Sequence, residues 1–147
     1  MLYRKIESFI RNHLVSKNNK ILLIEGARQI GKTYIIRKVS KELFPNYIEI
    51  NFVSDAANAK IFENVKSVDD FYFALSTVAG DKMKERDNTI VFLDEIQEYP
   101  QFITLLKFLR EDNRFEYIAS GSLLGVTLAE TTSIPIGSIL HKKMYQL

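Results

Sequence analysis

The chain has 147 residues, of which 46% are hydrophobic and 26% are charged, and a formal net charge of +2. This is the length of one domain, and the composition argues against intrinsic disorder. No apolar run approaches the ~18 residues of a membrane helix, and the charged, amphipathic start is unlike a secretory signal. The absence of cysteine excludes disulfides, thiolate catalysis and cysteine-ligated metals, and fits a cytoplasmic protein.

Helical and strand-like patterns alternate along the first half of the chain. In order, they predict a helix around residues 6–14, a buried strand at 21–24, a helix over 32–43 and an alternating strand over 47–52. The first helix is predicted from the spacing of Ile6, Ile10 and Leu14. Pro45 bars any continuation of the second helix.

The second half continues the same alternation. It predicts a helix capped by Ser67, a buried strand at 90–93, a helix starting at Pro100, a strand at 115–119 and a last strand over 136–144. Strands that alternate with helices indicate an α/β fold with a mainly parallel sheet. Such sheets bind their ligands beyond the carboxyl ends of the strands.

The clearest motif lies between the first strand and the second helix. Residues 26–33 (GARQIGKT) match the phosphate-loop pattern G-x-x-x-x-G-K-[ST] in full. In such a loop, backbone N–H groups and the helix N-terminus face phosphate oxygens. We expect Lys32 to reach the β- and γ-phosphates and the Thr33 hydroxyl to ligate Mg²⁺. The residues expected to bind the nucleotide are Gly26, Ala27, Arg28, Gln29, Ile30, Gly31, Lys32 and Thr33.

Two acidic residues follow the buried strand at 90–93. This is the pattern of a Walker B strand, in which Asp94 would hold Mg²⁺ through water and Glu95 would orient or deprotonate an attacking water. The strand after it ends in Ser120-Gly121-Ser122, and a hydroxyl there can hydrogen-bond the water or the γ-phosphate. Ser120 is the first choice and Ser122 the second, while a simple serine–glycine turn is the structural alternative.

The acidic pair also bears on the reaction class. A glutamate next to the Mg²⁺-binding aspartate suits attack by water, although a small-molecule kinase remains an alternative. A GTPase would carry an Asn/Thr-Lys-x-Asp sequence, and none is present. The residues therefore favour attack by water on a bound nucleotide, with Lys32, Glu95 and Ser120 as the catalytic candidates.

Taken together, these motifs resemble the AAA+ superfamily of P-loop ATPases. More closely, they are similar to a prokaryotic AAA-type family in which this core precedes a C-terminal domain of unknown function. The resemblance is carried by residues 26–33 (GARQIGKT), 47–52 (YIEINF), 92–97 (FLDEIQ), 119–122 (ASGS) and the tail 135–147. It implies a three-layer P-loop NTPase fold with about five strands, the sensor strand lying between the phosphate-loop strand and the Walker B strand. It also implies that Ser120 is the sensor-1 residue.

The sequence departs from that family in several places. Ala27 stands where proline is common, and Ser120 stands where threonine is usual but keeps the hydroxyl. We expect residues 1–147 to be one ATPase core that is truncated before its C-terminal domains. No helical lid and no second sensor arginine can be assigned, and no arginine follows Arg114. Because an arginine finger is worth about 10³–10⁵ in rate in GTPase systems, we expect slow hydrolysis.

The charge is unevenly distributed. Residues 1–41 hold ten Lys and Arg against two Asp and Glu, whereas the remainder holds ten against 16. Solvated helix faces are one interpretation, and a surface for nucleic acid or a protein client is the other. The alternative function is therefore a nucleotide-gated interaction module without significant turnover. Oligomerisation is compatible with the family resemblance, and a membrane partner is not expected.

Overall fold

The computed structural model describes residues 2–16, 18–26, 31–122 and 137–144. The helices are α1 (Leu2–Val15), α2 (Lys32–Leu43), α3 (Phe52–Ala57), α4 (Val68–Ala79) and α5 (Gln101–Asp112). The strands are β1 (Ile21–Glu25), β2 (Asn46–Asn51), β3 (Thr89–Asp94), β4 (Glu116–Gly121) and β5 (Ile139–Lys143). Short 3₁₀ turns occur at Gly80–Lys82, Arg86–Asn88 and Ile96–Glu98.

The five strands form one parallel sheet in the order β2-β3-β4-β1-β5. The strand of the phosphate loop, β1, lies beside β4, and β4 separates it from β3. This arrangement confirms the order that the family resemblance implies. Because parallel strands end at the same edge, the residues that follow β1, β3 and β4 meet there.

Side chains alternate between the two faces of the sheet, and each face is covered by helices. Leu22 and Ile24 of β1 pack in a cluster with residues of α1 and α2. Ile21 and Leu23 pack on the opposite face, in a cluster with residues of α3, α4 and α5. The second cluster is rich in aromatic rings, and the centroids of Phe52 and Phe102 lie 4.6 Å apart. The predicted α/β architecture of three layers is confirmed.

Local signals account for several helix ends. The Ser67 side chain caps α4 by accepting a hydrogen bond from the backbone N–H of Asp70 at 3.0 Å, as predicted. Helix α2 covers Lys32–Leu43, the predicted range, and the chain becomes extended at Phe44 before Pro45. Helix α5 begins directly after Pro100.

Each of the five strands differs from its predicted bounds at one end or at both. Strand β2 ends at Asn51 rather than at residue 52, because the Asn51 side chain caps α3, which begins at Phe52. Strand β4 continues to Gly121, whose carbonyl accepts a hydrogen bond from Gly26 N at 3.0 Å. Strand β5 covers Ile139–Lys143, and residue 136 of the predicted last strand lies outside the described residues. Within the described ranges, no helix has the length and apolarity to span a membrane.

Candidate active site

The residues singled out from the sequence lie together at the carboxyl edge of the sheet. Lys32 and Thr33 open α2, which follows β1 and the phosphate loop. Asp94 is the last residue of β3, and Ser120 lies near the end of β4. Hydrogen bonds or ion pairs join these side chains to one another or to Glu95, as described below. The sheet order therefore produces a single polar cluster from three separate parts of the chain.

Asp94 is the centre of this cluster. Its carboxylate accepts hydrogen bonds from the hydroxyl of Thr33 at 3.1 Å and from the hydroxyl of Ser120 at 2.6 Å. The side-chain amide of Asn51 donates to it at 3.4 Å. Only 3% of Asp94 is exposed, so these donors replace water around the charge. The carboxylate is consequently held in one orientation at the sheet edge.

Lys32 and Glu95 form a buried ion pair beside Asp94. The Lys32 ammonium lies 3.4 Å from Oε1 of Glu95, and the two side chains are 1% and 8% exposed. An isolated buried charge is costly, so the contact offsets the burial of both groups. The cation expected at phosphate and the expected base thus lie in contact.

The backbone at Glu95 is unusual. It adopts the left-handed conformation, with φ 60° and ψ 48°, which costs a non-glycine residue about 1 kcal/mol. This conformation turns the chain sharply from β3 into the 3₁₀ turn at Ile96–Glu98. Gln97 in that turn donates from Nε2 to Oε2 of Glu95 at 2.7 Å, and its Oε1 accepts from the Ser122 backbone N–H at 3.1 Å.

The described part of the phosphate loop has the backbone that the motif requires. Gly31 adopts φ 83° at the N-cap of α2, a conformation that glycine reaches without a steric penalty. The first N–H groups of α2 follow it, and such groups lack acceptors within their own helix. The predicted contacts of Ala27, Arg28, Gln29 and Ile30 lie outside the described residues.

The oxygen donors near Asp94 fit magnesium. The Thr33 hydroxyl and the Asp94 carboxylate are 3.1 Å apart, and Mg²⁺ prefers oxygen ligands of these kinds. Among the described residues, no group of three or more His, Asp or Glu side chains could hold a metal by itself. In proteins, Mg²⁺ usually keeps several waters and is completed by phosphate oxygens.

Two residues of the cluster had no role assigned from the sequence. Asn51 is paired in register with Asp94 across β2 and β3, and its Oδ1 also accepts from Ser54 N at 3.0 Å. A polar residue at the end of a predicted strand was a signal that could have found it. Gln97 reaches Glu95 only because of the turn between them, and the sequence alone carries no such signal.

Much of the positive charge in the first 41 residues is paired within the chain. Arg11 contacts both Glu7 and Glu42, at 3.4 Å and 2.6 Å, and Lys38 contacts Glu7 at 3.0 Å. Arg37 donates two 2.8 Å hydrogen bonds to Glu49 and lowers the pKa of that carboxyl. These pairs support the interpretation of this charge as solvated helix faces.

Comparisons with known proteins agree with this geometry. A family model described as an AAA domain matches residues 18–147. A search of curated proteins found no match. Among solved structures, the chain is similar to the Walker-type ATPase of Pyrococcus abyssi, with a TM-score of 0.60 and 16% identity over 99% of this chain and 57% of that chain.

Two further structures share the fold. The ORC1 protein of Aeropyrum pernix, solved in complex with DNA, gives a TM-score of 0.62 and 17% identity over 97% of this chain and 44% of that chain. The S. cerevisiae Hsp104–ADP complex gives 0.61 and 15% over 95% of this chain and 21% of that one. The chain thus spans between 21% and 57% of the length of these proteins.

The family model covers most of the chain, and the chain shares its fold with the ATPase structures. The chain therefore belongs to the AAA domain family and has the core fold of an AAA+ P-loop ATPase, a membership that supports nucleotide binding and an ATPase-type function in general.

Proposed function

We propose that this chain binds ATP with Mg²⁺ and hydrolyses it slowly to ADP and phosphate. The observation that carries the proposal is the buried contact between Lys32 and Glu95, 3.4 Å apart, next to the cluster around Asp94. Lys32 would provide a cation for phosphate, and Glu95 a carboxylate base. The cluster around Asp94 would provide an oxygen-rich position for Mg²⁺ at the same sheet edge.

Nucleotide binding follows from the start of α2. The phosphate chain would lie over residues 26–33, where N–H groups and the positive end of the helix dipole favour anions. Lys32 would then exchange its contact with Glu95 for phosphate oxygens. Thr33 and Asp94 would hold Mg²⁺, which neutralises charge on the β- and γ-phosphates when bound. Ser120 keeps the Asp94 carboxylate oriented toward that position.

Hydrolysis requires a base close to the γ-phosphate. Glu95 would accept a proton from water as the water oxygen bonds to the γ-phosphorus and the bond to the β–γ bridging oxygen breaks. The products are ADP and inorganic phosphate, with the bridging oxygen leaving on ADP. A positioned general base contributes roughly 10²–10⁴-fold to such a step. Ser120, 2.6 Å from Asp94, is placed to sense the change at the phosphate.

Slow turnover and a role within a larger protein belong to the same proposal. No arginine follows Arg114 in the sequence, so no arginine finger is assigned in the later part of the chain. The chain spans 57% or less of the similar structures. We propose that it acts as the motor or switch part of a larger protein in the cytoplasm. The client of such a protein would be a nucleic acid or another protein.

The test of hydrolysis is phosphate release by Glu95→Gln beside wild type. This variant keeps the size and hydrogen-bonding shape of the side chain but removes the base, so ATP binding should persist while turnover falls about 100-fold. Glu98→Gln is a matched control, because Glu98 lies exposed in the same 3₁₀ turn. If Glu95→Gln turned over ATP at the wild-type rate, Glu95 would not be the base.

The interaction module remains the second candidate, because Arg4 and Lys5 are exposed on α1. The ion pairs of Arg11, Arg37 and Lys38 reduce the charge available to a nucleic acid. DNA binding that weakens steeply with salt would favour this candidate. An absence of binding at low salt would remove its nucleic-acid form. Phosphate release without an added acceptor would likewise count against a small-molecule kinase.

A further inference from the structure

Gln97 makes a two-sided bridge beside the acidic pair. Its Nε2 donates to Oε2 of Glu95 at 2.7 Å, and its Oε1 accepts from the backbone N–H of Ser122 at 3.1 Å. One contact is to the expected base, and the other is to the residue that follows β4. The side chain therefore links the turn after β3 to the end of the strand that carries Ser120.

The chemistry of the two partners determines the orientation of this amide. A backbone N–H can only donate, so the carbonyl oxygen of Gln97 must face Ser122. The ionised carboxylate of Glu95 can only accept, so the amide nitrogen must face Glu95. The reversed amide would place oxygen against oxygen on one side and two donors against each other on the other. The amide orientation that the Ser122 contact requires is therefore the same one that the Glu95 contact requires.

Glu95 contacts Lys32 and Gln97 through different oxygens. Oε1 lies 3.4 Å from the Lys32 ammonium, whereas Oε2 accepts the hydrogen bond from Gln97. When a phosphate draws Lys32 away, the Gln97 bond is not in competition with it. Oε1 faces the side on which Lys32 would meet the γ-phosphate. Oε1 is therefore the oxygen of Glu95 that Gln97 does not hold.

From this geometry we propose that Gln97 is a positioning residue for hydrolysis. It holds Oε2 of Glu95 and directs Oε1 toward the water and the γ-phosphate. Its second contact connects the orientation of the base to the end of β4, where Ser120 bonds Asp94. The proposal rests on the proposed ATP hydrolysis and deepens it by naming the group that holds the base.

The decisive variant is Gln97→Glu. A carboxylate at this position still accepts from Ser122 N–H, so a purely structural tie to β4 is preserved. It cannot donate to Glu95, however, and it places a second negative charge beside that base. We expect kcat to fall at least about 10-fold, because the base loses the charge-assisted hydrogen bond that holds it. We expect KM to change by less than about 2-fold, because bound phosphate does not contact this position.

Gln101 supplies the matched control. It is also partly buried, and its Nε2 donates to the backbone carbonyl of Glu63 at 2.9 Å, in a contact that involves none of the site residues. Gln101→Glu should therefore leave kcat and KM unchanged. Gln97→Met, compared with Gln101→Met, adds a variant without a new charge. Gln97→Met should lower kcat. It should also increase hydrogen exchange at the Ser122 amide, because that N–H loses its acceptor.

The measurement is steady-state phosphate release by wild type and these four variants, with Lys32→Ala as the background. A fall in kcat confined to the Gln97 variants supports the proposal. Wild-type kcat in Gln97→Glu and Gln97→Met overturns it and leaves ATP hydrolysis by the chain intact. Wild-type release no greater than that of Lys32→Ala contradicts the proposed hydrolysis itself, and the role of Gln97 is then overturned with it. Unchanged Ser122 exchange in Gln97→Met would contradict the bridge directly.

Discussion

The Lys32 ammonium lies 3.4 Å from Oε1 of Glu95, with both side chains almost completely buried. In this arrangement the cation expected at phosphate and the expected base neutralise each other. Phosphate binding would therefore replace one buried partner of Lys32 by another, rather than bring an uncompensated charge into the site. The contact holds the two side chains together at the sheet edge.

This pair leads to a prediction about stability. Lys32→Met removes a buried cation from beside Glu95 and should reduce the free energy of unfolding by about 3 kcal/mol, since breaking a buried pair is strongly destabilising. Adding Glu95→Gln should restore part of that loss. Urea unfolding of the two single variants and the double variant measures the coupling. Strictly additive losses would show that the contact carries no interaction energy.

Ser120 and Ser40 are both fully buried serines with different surroundings. The Ser120 hydroxyl donates to Asp94, whereas the Ser40 hydroxyl has no hydrogen-bond partner among the described residues. Ser120→Ala should lower stability by about 1.5–3 kcal/mol and reduce ATP turnover. Ser40→Ala should be close to neutral in both, because no hydrogen bond of the described chain is lost. Thermal unfolding and phosphate release are measured for both variants. Equal stability and equal turnover in Ser120→Ala and Ser40→Ala would contradict the role of Ser120.

Asn51 and Ser67 are both helix caps, but only Asn51 also contacts Asp94. Replacing either by alanine should reduce stability by about 1 kcal/mol through loss of the cap. Only Asn51→Ala should also weaken Mg²⁺-ATP binding, because it removes a donor from the Asp94 carboxylate. Calorimetric titration of both variants checks this difference. If Ser67→Ala weakened Mg²⁺-ATP binding as much as Asn51→Ala, the weaker binding would result from lost stability and not from the contact with Asp94.

Stability should also depend on the protonation of His13. This imidazole is buried and lies 2.9 Å from the carbonyl oxygen of Lys20, and burial lowers its pKa below the ordinary 6.5. Between that lowered pKa and 6.5, the unfolded chain binds more protons, so stability falls as pH decreases through this window. His13→Gln should flatten the dependence.

Urea unfolding at about pH 7.5 and about pH 5.5 measures this slope in both proteins. The pKa of Glu49 is also lowered, by the hydrogen bonds from Arg37, but from 4.5. Its stabilising contribution is therefore lost only at lower pH, as the carboxylate becomes protonated, and does not affect the His13 window. An equal slope in wild type and His13→Gln would contradict the prediction.

The sequence predicted those features that depend on local signals. The limits of α2 follow from the glycine before Lys32 and from Pro45, and the start of α4 follows from the Ser67 cap. Helix α3 was not predicted, because Phe52 continues the apolar alternation of the strand before it. The structure places the helix there because the Asn51 side chain caps it.

The residues of the candidate site also fall into those that local motifs predict and those that only the fold brings together. Lys32, Thr33, Asp94 and Ser120 were predicted from motifs, and the sheet order brings them together. The roles of Asn51 and Gln97 depend on relationships between distant parts of the chain. Asn51 meets Asp94 through the register of β2 on β3, and Gln97 meets Ser122 through the turn at Glu95. A polar residue near a strand end is a local signal for Asn51, but its contact with Asp94 and the contact of Gln97 with Ser122 depend on the fold.

The central claim, that Lys32 binds the phosphates of ATP at this sheet edge, is tested most directly by calorimetric titration of Mg²⁺-ATP. The comparison is between wild type, Lys32→Ala and Lys38→Ala, the last on the same helix with an exposed contact to Glu7. Each variant is first shown to be folded at the temperature of the titration. We expect saturable binding by wild type and Lys38→Ala, and binding at least about 10-fold weaker by Lys32→Ala, equivalent to about 1.4 kcal/mol. Equal affinity in all three proteins would contradict the assignment of the phosphate loop.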